Sequence, residues 1–222
     1  MAYALSIDLR TMKIDFVSDV SCPWCAIGLN ALEQALARLS GEVQAELHFQ
    51  PFELNPQMPP MGEDIVEHLT RKYGITPEQC ERNSEAIRQR GETVGFTFGK
   101  GKRLRIYNTF DAHRLLHWAG LEGCERELKH ALLRAYFTDG ENPSDHALLV
   151  RVAGNVGLDT EHAKAILASD QYAAEVRARE EFYLDHGIHA VPSIIIDDRN
   201  LIQGGQPVEV LENALRELAA AS

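Results

Sequence analysis

The sequence predicts an α/β fold, with a βαβ unit and a ββα unit at opposite ends of the chain and a long helical insertion between them. Three observations carry this reading. Short β-branched runs occur near both ends, a three-proline break follows the first unit, and helical periods with caps fill the interval. With 222 residues, 45% apolar and 25% charged, the chain can bury a substantial core without disulfides.

Each element has a local reason. Residues 13–19 (KIDFVSD) are few and apolar in the middle, as a strand requires. From Pro23 the period changes: Cys25, Leu29, Leu32, Leu36 and Leu39 recur at spacings of four and three, an amphipathic helix that Gly41 ends. Residues 43–54 return to strand character, and Pro56, Pro59 and Pro60 mark a boundary. Beyond it, caps are expected at Asn108, at Ser144-Asp145 and at Asp159-Thr160. Helices are expected over 131–137, 147–156 and 163–184, with one candidate strand at 93–98.

Strand character resumes in Val191-Pro192-Ser193-Ile194-Ile195-Ile196, whose isoleucine run predicts burial on both faces. The turn Asp197-Asp198-Arg199-Asn200 leads to a hairpin partner at 201–203. Val208, Leu211, Leu215 and Leu218 stripe a last helix whose first position is assigned to Pro207. The predicted organisation is a tail at 1–12, a discontinuous sheet domain at 13–60 and 187–222, and a helical insertion at 61–186.

Charge and composition narrow the function. A net charge of −11 repels phosphate backbones and anionic membrane surfaces, so neither nucleic acid nor a membrane is expected as partner. The opening MAYALSIDLRTMKIDF has no basic segment, and Asp8 and Arg10 interrupt its apolar stretch, so no secretory signal or spanning helix is expected. A cytoplasmic location follows as the expectation. Cytosolic thiols are kept reduced, so the Cys-x-x-Cys at 22–25 reads as catalytic or metal-binding rather than as a permanent disulfide.

With Pro23 in the first helical turn, Cys22 falls at the N-cap, where its sulfur is expected to accept the N–H of Trp24 or Cys25. The helix dipole favours an anion there, which predicts a lowered pKa and makes Cys22 the expected exposed nucleophile. Cys25 opens the apolar stripe, so its thiol is expected to be sheltered and less ionised, as a resolving thiol should be. A zinc site needs a second pair of ligands, and Cys80 and Cys124 stand alone. His113 and His117 share one helical face without an evident third ligand, and Cys80, beside Glu81 and Arg82, is expected to be accessible. Pro192 at the start of a buried strand needs a reason, either as a strand opener or as a cis bond that turns the chain.

The order of these elements resembles the thioredoxin fold in its DsbA-like form. Phe16-Val17-Ser18-Asp19, Phe52-Glu53-Leu54-Asn55-Pro56, Asn108-Thr109-Phe110-Asp111-Ala112-His113-Arg114-Leu115 and Gly204-Gly205-Gln206-Pro207 more closely resemble its cytosolic FrnE-like branch. That branch is a cousin of 2-hydroxychromene-2-carboxylate isomerases and kappa-class glutathione transferases. The resemblance runs from about residue 13 to residue 220. It implies a thiol:disulfide oxidoreductase or isomerase, with Cys22 attacking, Cys25 resolving and a cis Val191-Pro192 packed against the pair. Pro23, Trp24, Val191, Asn55 and His113 are the residues it implies for substrate, with the Val191 backbone pairing to an extended segment.

The resemblance implies no tightly bound cofactor; glutathione or another thiol or disulfide would serve as redox partner. The substrate would be a thiol- or disulfide-containing protein or small molecule, and oligomeric state stays open, a homodimer included. Two departures stand out: Ala190 replaces a common glycine, and Phe16 stands where relatives carry a buried acid. Proton transfer to Cys25 is therefore expected to use water or a more distant group. The competing readings are a glutathione-dependent isomerase or transferase, against which two thiols argue, and a holdase-like binding module.

Overall fold

The computed structural model describes residues 11–59 and 61–221. Strand β1 (Thr11–Ser18) leads into helix α1 (Pro23–Arg38) and returns as β2 (Gln44–Pro51), parallel to β1 with Ile14 opposite Leu47. Near the other end, β5 (Ser193–Ile196) and β6 (Asn200–Gln203) form a hairpin and precede α9 (Val208–Ala220). The four strands make one sheet in the order β2-β1-β5-β6, with β5 antiparallel to β1.

β1 is central, pairing with β2 on one side and with β5 on the other. Met12, Ile14 and Phe16 enter a core with Leu29 and Leu32 of α1 and Leu211 and Leu215 of α9. Val17 faces the other way, into a cluster with Phe52, Tyr183 and Ile188. Asp197 and Asp198 both take positive φ, 51° and 57°, which matches the turn to the twist of the hairpin.

Between these units lie two-residue strands β3 (Glu63–Asp64) and β4 (Arg105–Ile106) and helices α2 (Ile65–Tyr73), α3 (Pro77–Glu92), α4 (Phe110–Leu121) and α5 (Glu125–Arg134). A π-helical turn, Ala135–Asp139, extends α5, and α6 (His146–Asn155), α7 (Thr160–Leu167) and α8 (Ala173–Asp185) follow. Leu115, Leu132, Leu149 and Ile166 form a second core among α4 to α7. Tyr136 and Phe137 of the π turn join the first core instead, so side chains of the intervening segment pack directly beneath the sheet helices.

Several expectations are corrected. The predicted tail at 1–12 overlaps β1, which begins at Thr11; its residues up to 10, like Pro60, lie outside the described residues. Residues 93–98 form no strand: Phe96 and Phe98 pack edge-on against Phe137, and that packing, not a ladder, explains their alternation. The helix expected over 163–184 is two helices, broken where Tyr172 adopts a left-handed φ of 64°. Arg114 stabilises the break by donating to the carbonyl oxygens of Ile166, Ser169 and Gln171 where the helical turns end. At α4 the N-cap is Thr109 rather than Asn108, whose Oδ1 accepts the Phe110 N–H at 2.9 Å. Pro207 is the N-cap of α9, one position before that expected.

Candidate active site

β1 ends, a tight turn follows, and α1 begins: Cys22 N–H donates to the Asp19 carbonyl at 3.2 Å, and the Cys22 carbonyl accepts from Cys25 at 3.1 Å. Cys22 is therefore the N-cap and Pro23 the first helical residue, as the missing proline N–H permits. The Cys22 sulfur does not cap the helix. As a neutral thiol it donates its proton to the Val191 carbonyl oxygen at 3.6 Å. It is also less open than expected, with 4% of its surface exposed against 0% for Cys25.

The two thiols are driven apart electrically. The Cys25 thiol, together with the N–H groups of Cys25 and Trp24, holds the Cys22 pKa below its ordinary value, against burial and the Asp19 charge. Burial, and then the Cys22 sulfur, push Cys25 well up, opposed by the Lys129 ammonium. A nucleophile and a resolving thiol need this ordering.

Glycines let the other parts approach. A Cβ at Gly28 on α1 would stand 3.0 Å from Cγ of Pro192, so only hydrogen at that position allows α1 to rest on the proline. The Val191–Pro192 bond is cis. The Pro192 carbonyl accepts the Gly204 N–H at 2.8 Å, and a Cβ at Gly205 would meet Trp24 Cε3 at 3.0 Å. Trp24, 41% exposed, thus lies on the Gly204-Gly205 turn at the rim of the dithiol.

Behind the thiols is a buried polar cluster. Asp19, fully buried, accepts from Ser21 N at 2.9 Å, Ser21 Oγ at 2.9 Å and Leu54 N at 2.7 Å. His113 Nε2 is 3.8 Å from its Oδ1, an electrostatic neighbour beyond hydrogen-bond range. Burial pushes the Asp19 carboxyl up, but the His113 charge and these donors outweigh it, and the pKa is lowered. His113, expected among the substrate-contacting residues, is instead 3% exposed, because α4 turns it inward toward Asp19.

Lys129 of α5 is 1% exposed and, with His113 and Glu125, lines a cavity of about 210 Å3 between β2 and helices α4 and α5. Burial lowers its pKa, opposed by Cys25, Asp19 and Glu125 in turn. Glu125, four residues earlier on the same helix, is pushed by burial to about 7. Sequence reasoning missed Lys129, since one lysine in a helix reads as a solvated side chain. Its position in an otherwise apolar stripe with Leu128, Leu132 and Leu133 was the available signal.

Asn55 stands at the exit of β2, its Oδ1 accepting from Lys72 Nζ at 2.7 Å while Lys72 also holds the Leu54 carbonyl at 2.8 Å. Asp15, buried beside Phe16 on the other face of β1, accepts from Gln50 Nε2 and pairs with Lys13 at 2.9 Å. His117 rests on the Tyr172 ring at 5.1 Å, and burial lowers its pKa. Cys80 is buried at 4% exposure, contrary to expectation, because it lies on the inner face of α3. Among the described residues no three His, Cys, Asp or Glu side chains group to hold a metal, and no helix is long and apolar enough to cross a membrane.

Two thiols at one helix N-terminus, with opposed pKa shifts and facing the carbonyl before Pro192, sit at the end of a sheet and helix arrangement of the thioredoxin class. The chain belongs to the family of the DsbA-like thioredoxin domain, whose model matches residues 13–216. A probable DsbA oxidoreductase from Streptomyces coelicolor is 33% identical, with a TM-score of 0.87 over 95% of this chain and 91% of that one. The uncharacterised protein YwbO of Bacillus subtilis (strain 168) is 26% identical over 208 residues, 93% of this chain and 97% of its own. The cytosolic disulfide reductase DsbM of Pseudomonas aeruginosa, solved with glutathione, shares the fold at 17% identity, with a TM-score of 0.60 over 94% of this chain and 98% of that one.

Proposed function

We propose that the protein is a cytoplasmic thiol:disulfide oxidoreductase or isomerase working through Cys22 and Cys25. The observation that carries this reading is the pair of free thiols at one helix N-terminus, Cys22 facing the carbonyl before Pro192, and the opposed pKa shifts support it. The Cys22 thiolate attacks one sulfur of a substrate disulfide, forming a mixed disulfide and releasing the other sulfur as a thiolate. Cys25 then loses its proton and attacks the Cys22 sulfur. The Cys22–Cys25 disulfide forms, the second substrate thiolate leaves, and two electrons have passed to the substrate.

Cys25 needs a base for that second step, and Phe16 supplies none. Water takes the proton, and the buried Lys129 ammonium assists by favouring the Cys25 thiolate, with Glu125 beside it in the same cavity. Asp19 and His113 position the turn that carries Cys22. The Val191 carbonyl, released when Cys22 ionises, pairs with an extended substrate segment while Pro23, Trp24 and Asn55 form the rim. Glutathione, which DsbM was solved with, is the proposed redox partner.

Turnover of insulin disulfides with glutathione tests the reading: Cys22→Ser should abolish it, and retained activity would sink the proposal. Equilibrating the pair against glutathione buffers then gives the reduction potential, which decides whether it donates or accepts disulfides.

A further inference from the structure

A second cavity, of about 380 Å3, opens beside the docking edge, bounded by Phe52 and Glu53 after β2 and by Arg177, Glu180, Glu181 and Asp185 of α8. Phe52 is the shared wall, since it packs in the cluster against which Val191 rests. Four carboxylates face one guanidinium there. Arg177 pairs with Glu53 Oε1 and with Glu180 Oε2 at 2.7 Å, its guanidinium 3.7 Å from the centre of the Phe110 ring. Glu53 Oε2 accepts from Asn108 Nδ2 at 3.2 Å, so both oxygens of Glu53 are engaged.

Glu180 differs. It is 7% exposed, it lines the cavity, and its Oε1 has no hydrogen-bond partner among the described residues. A buried carboxylate oxygen left unpaired is costly, and such a group calls for a donor. Glu181 and Asp185 stand exposed at the rim with the same sign of charge.

We infer that this cavity is a specificity subsite that receives a cationic nitrogen, an ammonium or guanidinium, of the disulfide substrate, with Glu180 Oε1 as its acceptor. Burial and the neighbouring Glu53 charge raise the Glu180 pKa, opposed by His113 and Arg177, and an incoming cation would oppose the rise further. The cation comes either from a lysine or arginine flanking the reacting cysteine of a polypeptide or from the free amino group of a small thiol. The inference rests on the proposed dithiol chemistry.

Its test compares kcat/KM for two mixed-disulfide peptides that differ only by lysine or glutamine beside the cysteine, and for glutathione disulfide with and without N-acetylation. The charged member of at least one pair should be favoured by about tenfold, the scale of one charge-assisted hydrogen bond, and the favoured pair identifies the source. Raising salt should shrink the ratio, and Glu180→Gln should bring it close to one. Glu181→Gln and Asp185→Asn, at the exposed rim, should each reduce it more modestly. Glu217→Gln, on the distant α9, should keep it, which separates the subsite from the net charge of −11. Ratios near one in the unaltered protein, with turnover of every substrate, overturn the subsite alone. No turnover of any substrate overturns the dithiol reading itself.

Discussion

The sulfur of Cys22 stands 3.6 Å from the carbonyl oxygen of Val191, a contact between residues 169 positions apart in the chain. On the proposed mechanism, the reduced nucleophile is thereby parked on the backbone group that would meet substrate. Ionisation removes the thiol proton, breaks that contact, and frees the sulfur and the carbonyl in one event. Activation of the proposed nucleophile and release of the Val191 carbonyl would then be coupled through a single proton.

A pH profile of alkylation follows from this coupling. Iodoacetamide should label Cys22 with a midpoint below the free-thiol value of about 8.5, while Cys25 stays unlabelled until strongly alkaline pH. Peptide mass spectrometry reads both sites, and equal labelling at neutral pH would contradict the ordering of the two thiols.

Cys25→Ser should still attack substrate disulfides but stop at the mixed disulfide. The trapped adduct on Cys22, visible as a mass increment that dithiothreitol removes, is the expected result; absence of any adduct would count against Cys22 as the attacking sulfur.

Lys129→Met should slow resolution by roughly one to two orders of magnitude, the scale of losing an opposite charge near the resolving thiolate. The signature is accumulation of mixed disulfide at neutral pH with partial recovery at alkaline pH, where hydroxide deprotonates Cys25. A merely structural lysine would leave the partition of that intermediate unchanged.

Asp19→Asn should destabilise the fold by about 2–4 kcal/mol at neutral pH, since a buried carboxylate with three donors loses its charge. The folded pKa of Asp19 lies below its unfolded value, so its stabilisation is complete above about pH 4 and fades as pH falls through the folded value. Denaturant curves of wild type and variant should therefore converge toward acid pH; a gap that stays constant would exclude the ionised carboxylate as its source.

Gly28→Ala sets two effects against each other. Helix propensity gains about 1 kcal/mol, but the new methyl stands 3.0 Å from Pro192 Cγ, so the proline must give way. Thermal stability should change little while kcat/KM for protein disulfides falls severalfold, and unchanged kinetics would show that the proline position is not critical.

The sequence by itself determined most of the elements and the place of the thiol pair. The period change at Pro23 placed Cys22 at a helix start and Cys25 in its apolar stripe, because capping and periodicity are local properties of the chain. The isoleucine run located β5. Only the tertiary structure decided what surrounds the thiols. His113, Lys129 and Glu180 come from helices α4, α5 and α8, and neither Lys129 nor Glu180 reads locally as more than an ordinary polar residue on a helix. Burial gave them their chemistry, by removing the water that would otherwise screen and pair them. The same cause explains residues 93–98, whose alternation reads as a strand although their partner is the ring of Phe137 rather than a ladder.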